Sequence, residues 1–268
     1  MGSLKNKVAI VTGGNGVLGF AIACHISSLG ATVYILGRNE EKTNLKIEEA
    51  QKSGITLLKL IADVSDEVSM QKACDLVLQK SGKIDILING AGGNKRGATI
   101  MPDDSFFDIS IEDFAGIMQL NLTGTVVACK VFGKNMADNK RGCIVNISSM
   151  AASLPLTRVV GYSASKAGID NFTRWLAVEM ANKYSPNIRV NAIAPGFFIA
   201  DQNRALLLNE DGSLTARGNT IISQTPQKTF GKPSDLLSTI EWLCLDQSAF
   251  VTGIIVPIDG GFSAFSGV

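Results

Sequence analysis

Tyr162 and Lys166 stand four residues apart in the run Gly161-Tyr-Ser-Ala-Ser-Lys-Ala-Gly168, with Ser149 thirteen residues before the tyrosine and Asn121 twenty-eight before the serine. On a helix, positions i and i+4 share a face, so the lysine ammonium can approach the phenol and favour its ionised form. A free phenol loses its proton near pH ~10, and bringing that to about 7 takes roughly 4 kcal/mol of differential stabilisation. A tyrosine supported in this way is a usable acid and base. Ser149 closes the apolar run Cys143-Ile-Val-Asn-Ile-Ser148 and can present its hydroxyl to a substrate oxygen beside the phenol. The chemistry these groups fit is the interconversion of an alcohol and a carbonyl.

Such chemistry needs a hydride partner, and the start of the chain offers a place for one. Lys7-Val-Ala-Ile-Val-Thr12 is a short β-branched run that reads as a buried strand. Gly13-Gly-Asn-Gly-Val-Leu-Gly19 follows at once, then an apolar helical stretch from Phe20 to Leu29. Gly14, Gly16 and Gly19 match Gly-x-Gly-x-x-Gly in the strand, turn and helix setting that brings backbone and helix N-terminus close to a dinucleotide pyrophosphate. A bound oxidised nicotinamide, positively charged, would add to the lysine in favouring the phenolate.

Further along, strands are expected at 7–12, 32–36, 55–61, 84–89, 142–148, 188–193 and 253–258, mostly as continuous apolar runs. Helical patterns fill 18–29, 40–53, 66–81, 111–138, 162–183 and 234–245. This alternation predicts an α/β fold: a single Rossmann-type domain over 1–268, a doubly wound parallel sheet of about seven strands with helices on both faces and ligands at the carboxyl ends of the strands. The segment 197–232, interrupted by Asn209-Glu-Asp-Gly-Ser213 and Arg217-Gly-Asn219, is expected to be a loop-rich substrate lid.

Composition narrows the function classes. The 268 residues carry a net charge of +1, which gives no broad basic field for nucleic acid. Polar residues interrupt the apolar runs before the roughly 18 residues a membrane span needs, and the N-terminus has no signal-peptide core, so a cytoplasmic enzyme is expected. The five cysteines are scattered without Cys-x-x-Cys and read as small core residues. His25 is the only histidine and falls in the first helix, which leaves neither a histidine-based triad nor a metal site.

Thr12-Gly-Gly-Asn-Gly-Val-Leu-Gly19, Asp63-Val64, Asn89-Gly-Ala-Gly92, Asn121, Ser149, Tyr162, Lys166, Pro195-Gly196 and Asp259-Gly-Gly261 together resemble the short-chain dehydrogenase/reductase family over nearly the whole chain. The resemblance implies a catalytic tetrad of Asn121, Ser149, Tyr162 and Lys166. Tyr162 would be the acid/base and Ser149 would orient the carbonyl. Lys166 would lower the tyrosine pKa and bind the nicotinamide ribose, and Asn121 would hold a water linking the lysine to solvent. It also implies a cofactor cleft of Gly13, Asn15, Gly16, Val17, Leu18, Gly19, Arg38, Asp63, Val64, Asn89, Ala91, Gly92, Pro195 and Gly196, with Tyr162 and Lys166 at its catalytic end. Val17 stands where the family's middle glycine is usual, and Ala200 stands where a threonine often touches the nicotinamide amide.

Tyr34-Ile-Leu-Gly-Arg-Asn39 has no acidic residue to bind a ribose 2′-hydroxyl, and Arg38 suits a 2′-phosphate, so NADP(H) is favoured with NAD(H) possible. Asn94, Arg158, Gln202, Asn203 and Arg204, with Lys95 and Arg96, supply cations and amides that fit an anionic polyol better than a fatty chain. The residues alone point to a sugar acid, its carboxylate held by Arg158 or Arg204. Asn89-Gly-Ala-Gly-Gly-Asn94, Ser148-Ser-Met-Ala-Ala-Ser153, Pro195-Gly-Phe-Phe-Ile199 and Asp211-Gly-Ser-Leu-Thr-Ala-Arg-Gly218 resemble the D-mannonate oxidoreductase, or fructuronate reductase, branch. That implies interconversion of D-fructuronate and D-mannonate. The alternatives are reduction of 5-ketogluconate or a 3-oxoacyl thioester, or a cofactor-sensing protein without chemistry. In the helix over 162–183, Ala167, Ile169, Phe172, Trp175, Leu176, Val178 and Met180 wrap round more than one face. With apolar Phe262-Ser-Ala-Phe265 and the family's habit, this implies a homotetramer with two-fold axes.

Overall fold

Val8–Thr12 (β1) is fully buried, and its side chains divide by alternation: Val8 and Ile10 join one hydrophobic cluster, Ala9 and Val11 another. A strand with no polar face must be covered on both sides, and the computed structural model, which describes residues 3–200 and 203–267, has that arrangement. Seven parallel strands lie in the order β3-β2-β1-β4-β5-β6-β7, with β2 Thr32–Gly37, β3 Leu58–Ile61, β4 Ile86–Asn89, β5 Gly142–Ile147, β6 Ile188–Pro195 and β7 Ile255–Ile258. Among the described residues the α-helices are α1 Val17–Ser28, α2 Glu40–Lys52, α3 Glu67–Ser81, α4 Ile111–Met118, α5 Gly124–Asp138, α6 Val160–Lys183, α7 Arg204–Leu207, α8 Ala216–Gln224 and α9 Leu237–Cys244.

One face of the sheet packs on α3, α5 and α6 through Met70, Cys74, Val77, Phe132, Met136, Leu176 and Met180. The other packs on α1 and α9 through Ile22, Ile26, Ile240 and Leu243. The strand order reverses between β1 and β4, and the crevice at that switch point is where such sheets take ligands.

The expected strands appear with four trimmed starts, β1 by one residue, β4 and β7 by two and β3 by three. β3 begins at Leu58 because the Ile55 N–H closes the end of α2 on the Ala50 carbonyl. β7 begins at Ile255 because Gly253 takes a left-handed conformation, φ +79°. The expected helix over 111–138 is continuous but contains one wide π turn, Gln119–Thr123. By length and composition this stretch is apolar enough to cross a membrane, contrary to the expectation that polar residues interrupt it; here Phe132 and Met136 carry it into the core.

Among its described residues, the segment 197–232 holds two helices, α7 and α8, where a loop-rich stretch was expected. Leu207, Ile221 and Phe230 form a small cluster of their own there, with Phe197, Ile199 and Leu214 packed against it. Four of the cysteines are buried, Cys24 is half-buried, and all five are free thiols.

Candidate active site

Helix α6 sets the site because Tyr162, Lys166 and Asp170 recur every four residues along one of its faces. Ser149 sits just past β5 with extended backbone, and its hydroxyl is near enough to the Tyr162 phenol to favour the phenolate. The same hydroxyl oxygen accepts from the Ala151 N–H at 3.2 Å, which fixes its direction. Lys166 is buried. Its Nζ donates to the Ile147 carbonyl at 2.7 Å and lies 5.4 Å from the centre of the Tyr162 ring.

Asn121, completely buried, lies in the π turn, a form of helix that often marks function. Its amide oxygen accepts from the Gly93 N–H at 3.0 Å, and its nitrogen donates to the carbonyls of Gly93, at 2.9 Å, and Ile117, at 3.0 Å. A methyl group on Gly92 would collide with the Asn121 amide oxygen and lie 3.8 Å from Lys166 Nζ. The loop after β4 thus runs directly between asparagine and lysine.

The phenol behaves differently from the expectation. Burial pushes its pKa above 10, and the nearby Ser149 hydroxyl offsets only part of that. Lys166, with its Nζ 5.4 Å from the ring centre, does not reverse the balance. Burial holds its ammonium down to about 8, with Asp170 opposing that fall. Asp170 in turn is raised by burial and restrained by a short hydrogen bond from the Ser148 hydroxyl, then by Arg174 and Lys166. Asp170 and Ser148 escaped the sequence reading, although Tyr162-Lys166-Asp170 is one register.

The cofactor positions form a cleft at the β1–β4 switch point. Helix α1 begins at Gly16 with no side-chain cap and no acidic residue in its first turn, so the N–H groups there remain available to an anion. Gly13 turns with φ +67°, and a side chain on it would strike Gly90 and Ala91 at 2.6–2.8 Å. The Ala91 N–H donates to Thr12 Oγ1 at 3.2 Å, tying the two loops together. Asn15 donates to Thr43 Oγ1 at 2.9 Å and lies against Gly37. These residues fit a dinucleotide: the turn packs this closely against its neighbours only because its glycines lack Cβ atoms, and the α1 N–H groups at its end carry no side-chain cap.

Arg38 Nη1 stands 3.4 Å from Asp63 Oδ2 at the end where the adenosine ribose would lie. Burial raises the Asp63 pKa, but Ser65 hydrogen bonds and Arg38 outweigh it, leaving the carboxyl below its usual range. Val64 is buried against Gly124. Pro195 ends β6, and Gly196 passes so close to Asp259 that a Cβ would meet it at 2.7 Å. Asn89 is not part of this lining through its side chain, which is buried and donates to Asn146 Oδ1 at 2.9 Å.

The expected substrate residues divide. Asn94 is exposed and donates to Thr99 at 2.9 Å. Lys95 and Arg96 are neutralised by Asp113 at 3.2 Å and Asp104 at 2.8 Å. Asn203 knits its own loop, accepting from the Ala200 N–H and donating to the Phe198 carbonyl, both at 2.8 Å. Arg204 is exposed at the start of α7, and Gln202 lies outside the described residues. Arg158, half-buried, remains beside the catalytic helix. Arg217 of α8, which the sequence reading passed over, reaches Thr157 Oγ1 at 3.4 Å.

Fold and site together define a nicotinamide-dependent dehydrogenase/reductase. A short chain dehydrogenase family model matches residues 7–211. The oxidoreductase UxuB of Bacillus subtilis (strain 168), itself uncharacterized, is 45% identical over 275 residues, covering 99% of this chain and 98% of that protein. The 2-dehydro-3-deoxy-D-gluconate 5-dehydrogenase of Formosa agariphila is 34% identical, covering 98% and 95%. A crystal structure of a candidate D-mannonate oxidoreductase from Haemophilus influenza with bound NAD superposes with a TM-score of 0.91 at 38% identity, covering 100% of this chain and 98% of that one. The chain belongs to the short-chain dehydrogenase family.

Proposed function

We propose that the protein interconverts a keto-sugar acid and its hydroxy acid, with D-fructuronate and D-mannonate as the pair, using Tyr162 as acid/base. The observation that carries the chemistry is the Tyr162 phenol beside the Ser149 hydroxyl and the buried Lys166 ammonium. The substrate class is supported by whole-length similarity to proteins named for sugar-acid oxidation.

In reduction, the substrate carbonyl oxygen accepts hydrogen bonds from Ser149 Oγ and Tyr162 Oη, and Tyr162 delivers its proton to that oxygen. When bound, the nicotinamide supplies the hydride chemistry that no side chain here can provide. A phenol held above its ordinary pKa is protonated at neutral pH, which suits the donor role. The Lys166 ammonium stabilises the phenolate left behind, and Asn121 fixes Gly93 and the loop that flanks the lysine.

The residues that would hold the cofactor are the Gly13–Gly19 turn with Asn15, Val17 and Leu18, then Asp63, Val64, Ala91, Gly92, Pro195 and Gly196. Arg38 would meet a 2′-phosphate, favouring NADP(H), while the same cleft accepts NAD(H). Residues 197–232 act as the lid, supported by their separate small core. The outer face of α6 leaves Trp175 and Val178 more than half exposed, and we assign it to a contact with a second copy in a homotetramer. We place the enzyme in the cytoplasm.

The reading is tested by comparing kcat/KM for D-fructuronate, 5-ketogluconate and a 3-oxoacyl thioester with each reduced cofactor. D-Fructuronate is expected to lead. A preference for the thioester would overturn the sugar-acid assignment, and tight cofactor binding without any turnover would favour a sensing protein.

A further inference from the structure

Three segments meet beside the catalytic helix. The Ile100 N–H, from the loop after β4, donates to the Arg158 carbonyl at 2.9 Å. Arg158 itself precedes Tyr162 by one turn and holds a left-handed backbone, φ +78°, which a non-glycine residue adopts only under constraint. Arg217, in the first turn of α8, places its guanidinium against Thr157, the neighbour of Arg158. Two cations from segments sixty residues apart are thus brought to one spot.

Arg38, Lys95 and Arg96 each face a carboxylate at 2.8–3.4 Å, whereas among the described residues Arg158 and Arg217, like Arg204, have none within ion-pairing distance. Arg158 and Arg217 differ from Arg204 in being half-buried, while Arg204 is exposed. Burial, and next the charge of Arg158, hold Arg217 below the ordinary arginine range. Like charges gathered in a half-buried place are unfavourable on their own and become favourable when an anion lies between them. Guanidinium groups suit a carboxylate in particular, since each can offer it two parallel hydrogen bonds.

We propose that Arg158 and Arg217 together form the carboxylate-recognition site for the sugar-acid substrate, with Arg158 fixed on the frame and Arg217 carried by the lid. The proposal rests on the sugar-acid reading above and replaces the expectation of a single arginine at 158 or 204. It assigns the lid a mechanism. A substrate carboxylate bridging the pair reinforces the contact that already joins α8 to the Thr157–Arg158 loop and holds α8 beside the bound sugar. A neutral polyol of the same length leaves the two guanidiniums repelling each other. Binding energy at the far end of the substrate thereby becomes orientation of its carbonyl at Tyr162 and Ser149.

The test is calorimetric titration of the NADP-loaded enzyme with D-gluconate and with neutral D-glucitol, for the natural sequence and for Arg158→Leu, Arg217→Leu and Arg217→Lys, with thermal melts to verify folding. Gluconate should bind the natural protein at least about tenfold more tightly than glucitol, and each leucine variant should lose roughly 10- to 100-fold of gluconate affinity while glucitol affinity stays level. Arg217→Lys should keep part of the preference, because it keeps the charge and loses the fork. Equal binding of gluconate and glucitol by the natural protein, or leucine variants that bind gluconate unchanged or lose both ligands alike, would overturn the proposal. Kinetics separate the two readings. Hexuronate turnover that survives both leucine variants sinks the arginine pair alone, whereas charge-selective binding without hexuronate turnover sinks the substrate assignment alone.

Discussion

Asp170→Asn isolates the electrostatic support of Lys166. The lysine is buried, and its fall from 10.5 to about 8 corresponds to roughly 3 kcal/mol against the charged form at the usual ~1.4 kcal/mol per pH unit. Asp170, one turn along α6, is the charge that opposes this fall. Neutralising it should lower the lysine further. An opposite charge within a few ångströms typically moves a pKa by 1–3 units, so a drop of about one, to near 7, is the conservative expectation. The sign follows from the charge type: Lys166 is cationic below its pKa, so reductive activity that needs the ammonium is present at low pH and lost as pH rises through it. The alkaline limb of kcat/KM for reduction should therefore fall near pH 8 in the natural protein and near pH 7 in Asp170→Asn. Asparagine keeps a hydrogen-bond acceptor for Ser148, so a uniform drop in rate would report disturbance of Ser148–Ser149 instead. A limb that stays in place would refute the coupling of Asp170 to Lys166.

Tyr162→Phe should leave the melting temperature and cofactor affinity nearly intact while turnover falls by about 10² or more, since a positioned proton donor is worth that much; retention of more than a tenth of the rate would remove Tyr162 from the acid/base role. Arg38→Asp should move relative affinity from NADP(H) towards NAD(H) by roughly tenfold or more, because a carboxylate repels the 2′-phosphate; unchanged affinities in titration calorimetry would show that Arg38 does not read that group. Light scattering at micromolar concentration should give a mass near four chains, and Trp175→Glu should dissociate at least one contact, because Trp175 and Val178 face away from the sheet; a monomeric mass for the natural protein contradicts the assembly.

What could be read from sequence was what depends on local spacing. The buried strands were visible because a parallel sheet covered on both faces demands continuous apolar runs, and the Tyr162–Lys166 pair because a helix brings i and i+4 together. Spacing could not report where distant groups compete for the same atom. Ile55, expected in a strand, caps α2; the Asn89 side chain, expected at the cofactor, bonds Asn146; and Asn203, expected at the substrate, spends both ends of its amide on its own loop. The phenol pKa went the other way because spacing reports proximity of a cation but not how much water both groups lose. Arg217 was invisible as a partner for Arg158, since only the folding of the lid segment onto the Thr157 loop brings them together.

The placement of residues separates chemistry from recognition. Asn121, Ser149 and Lys166 are buried, on or beside the core helices and β5, where packing fixes their geometry. Arg158 and Arg217 are only half-buried, on a loop and on a helix whose small core is distinct from the two that flank the sheet. Substitutions in the second group can alter which carbonyl compound is held without straining the first. That division sets an order of sensitivity: core variants near Lys166 should change rate on every substrate, while variants at the Arg158–Arg217 pair should change selectivity between charged and neutral ones.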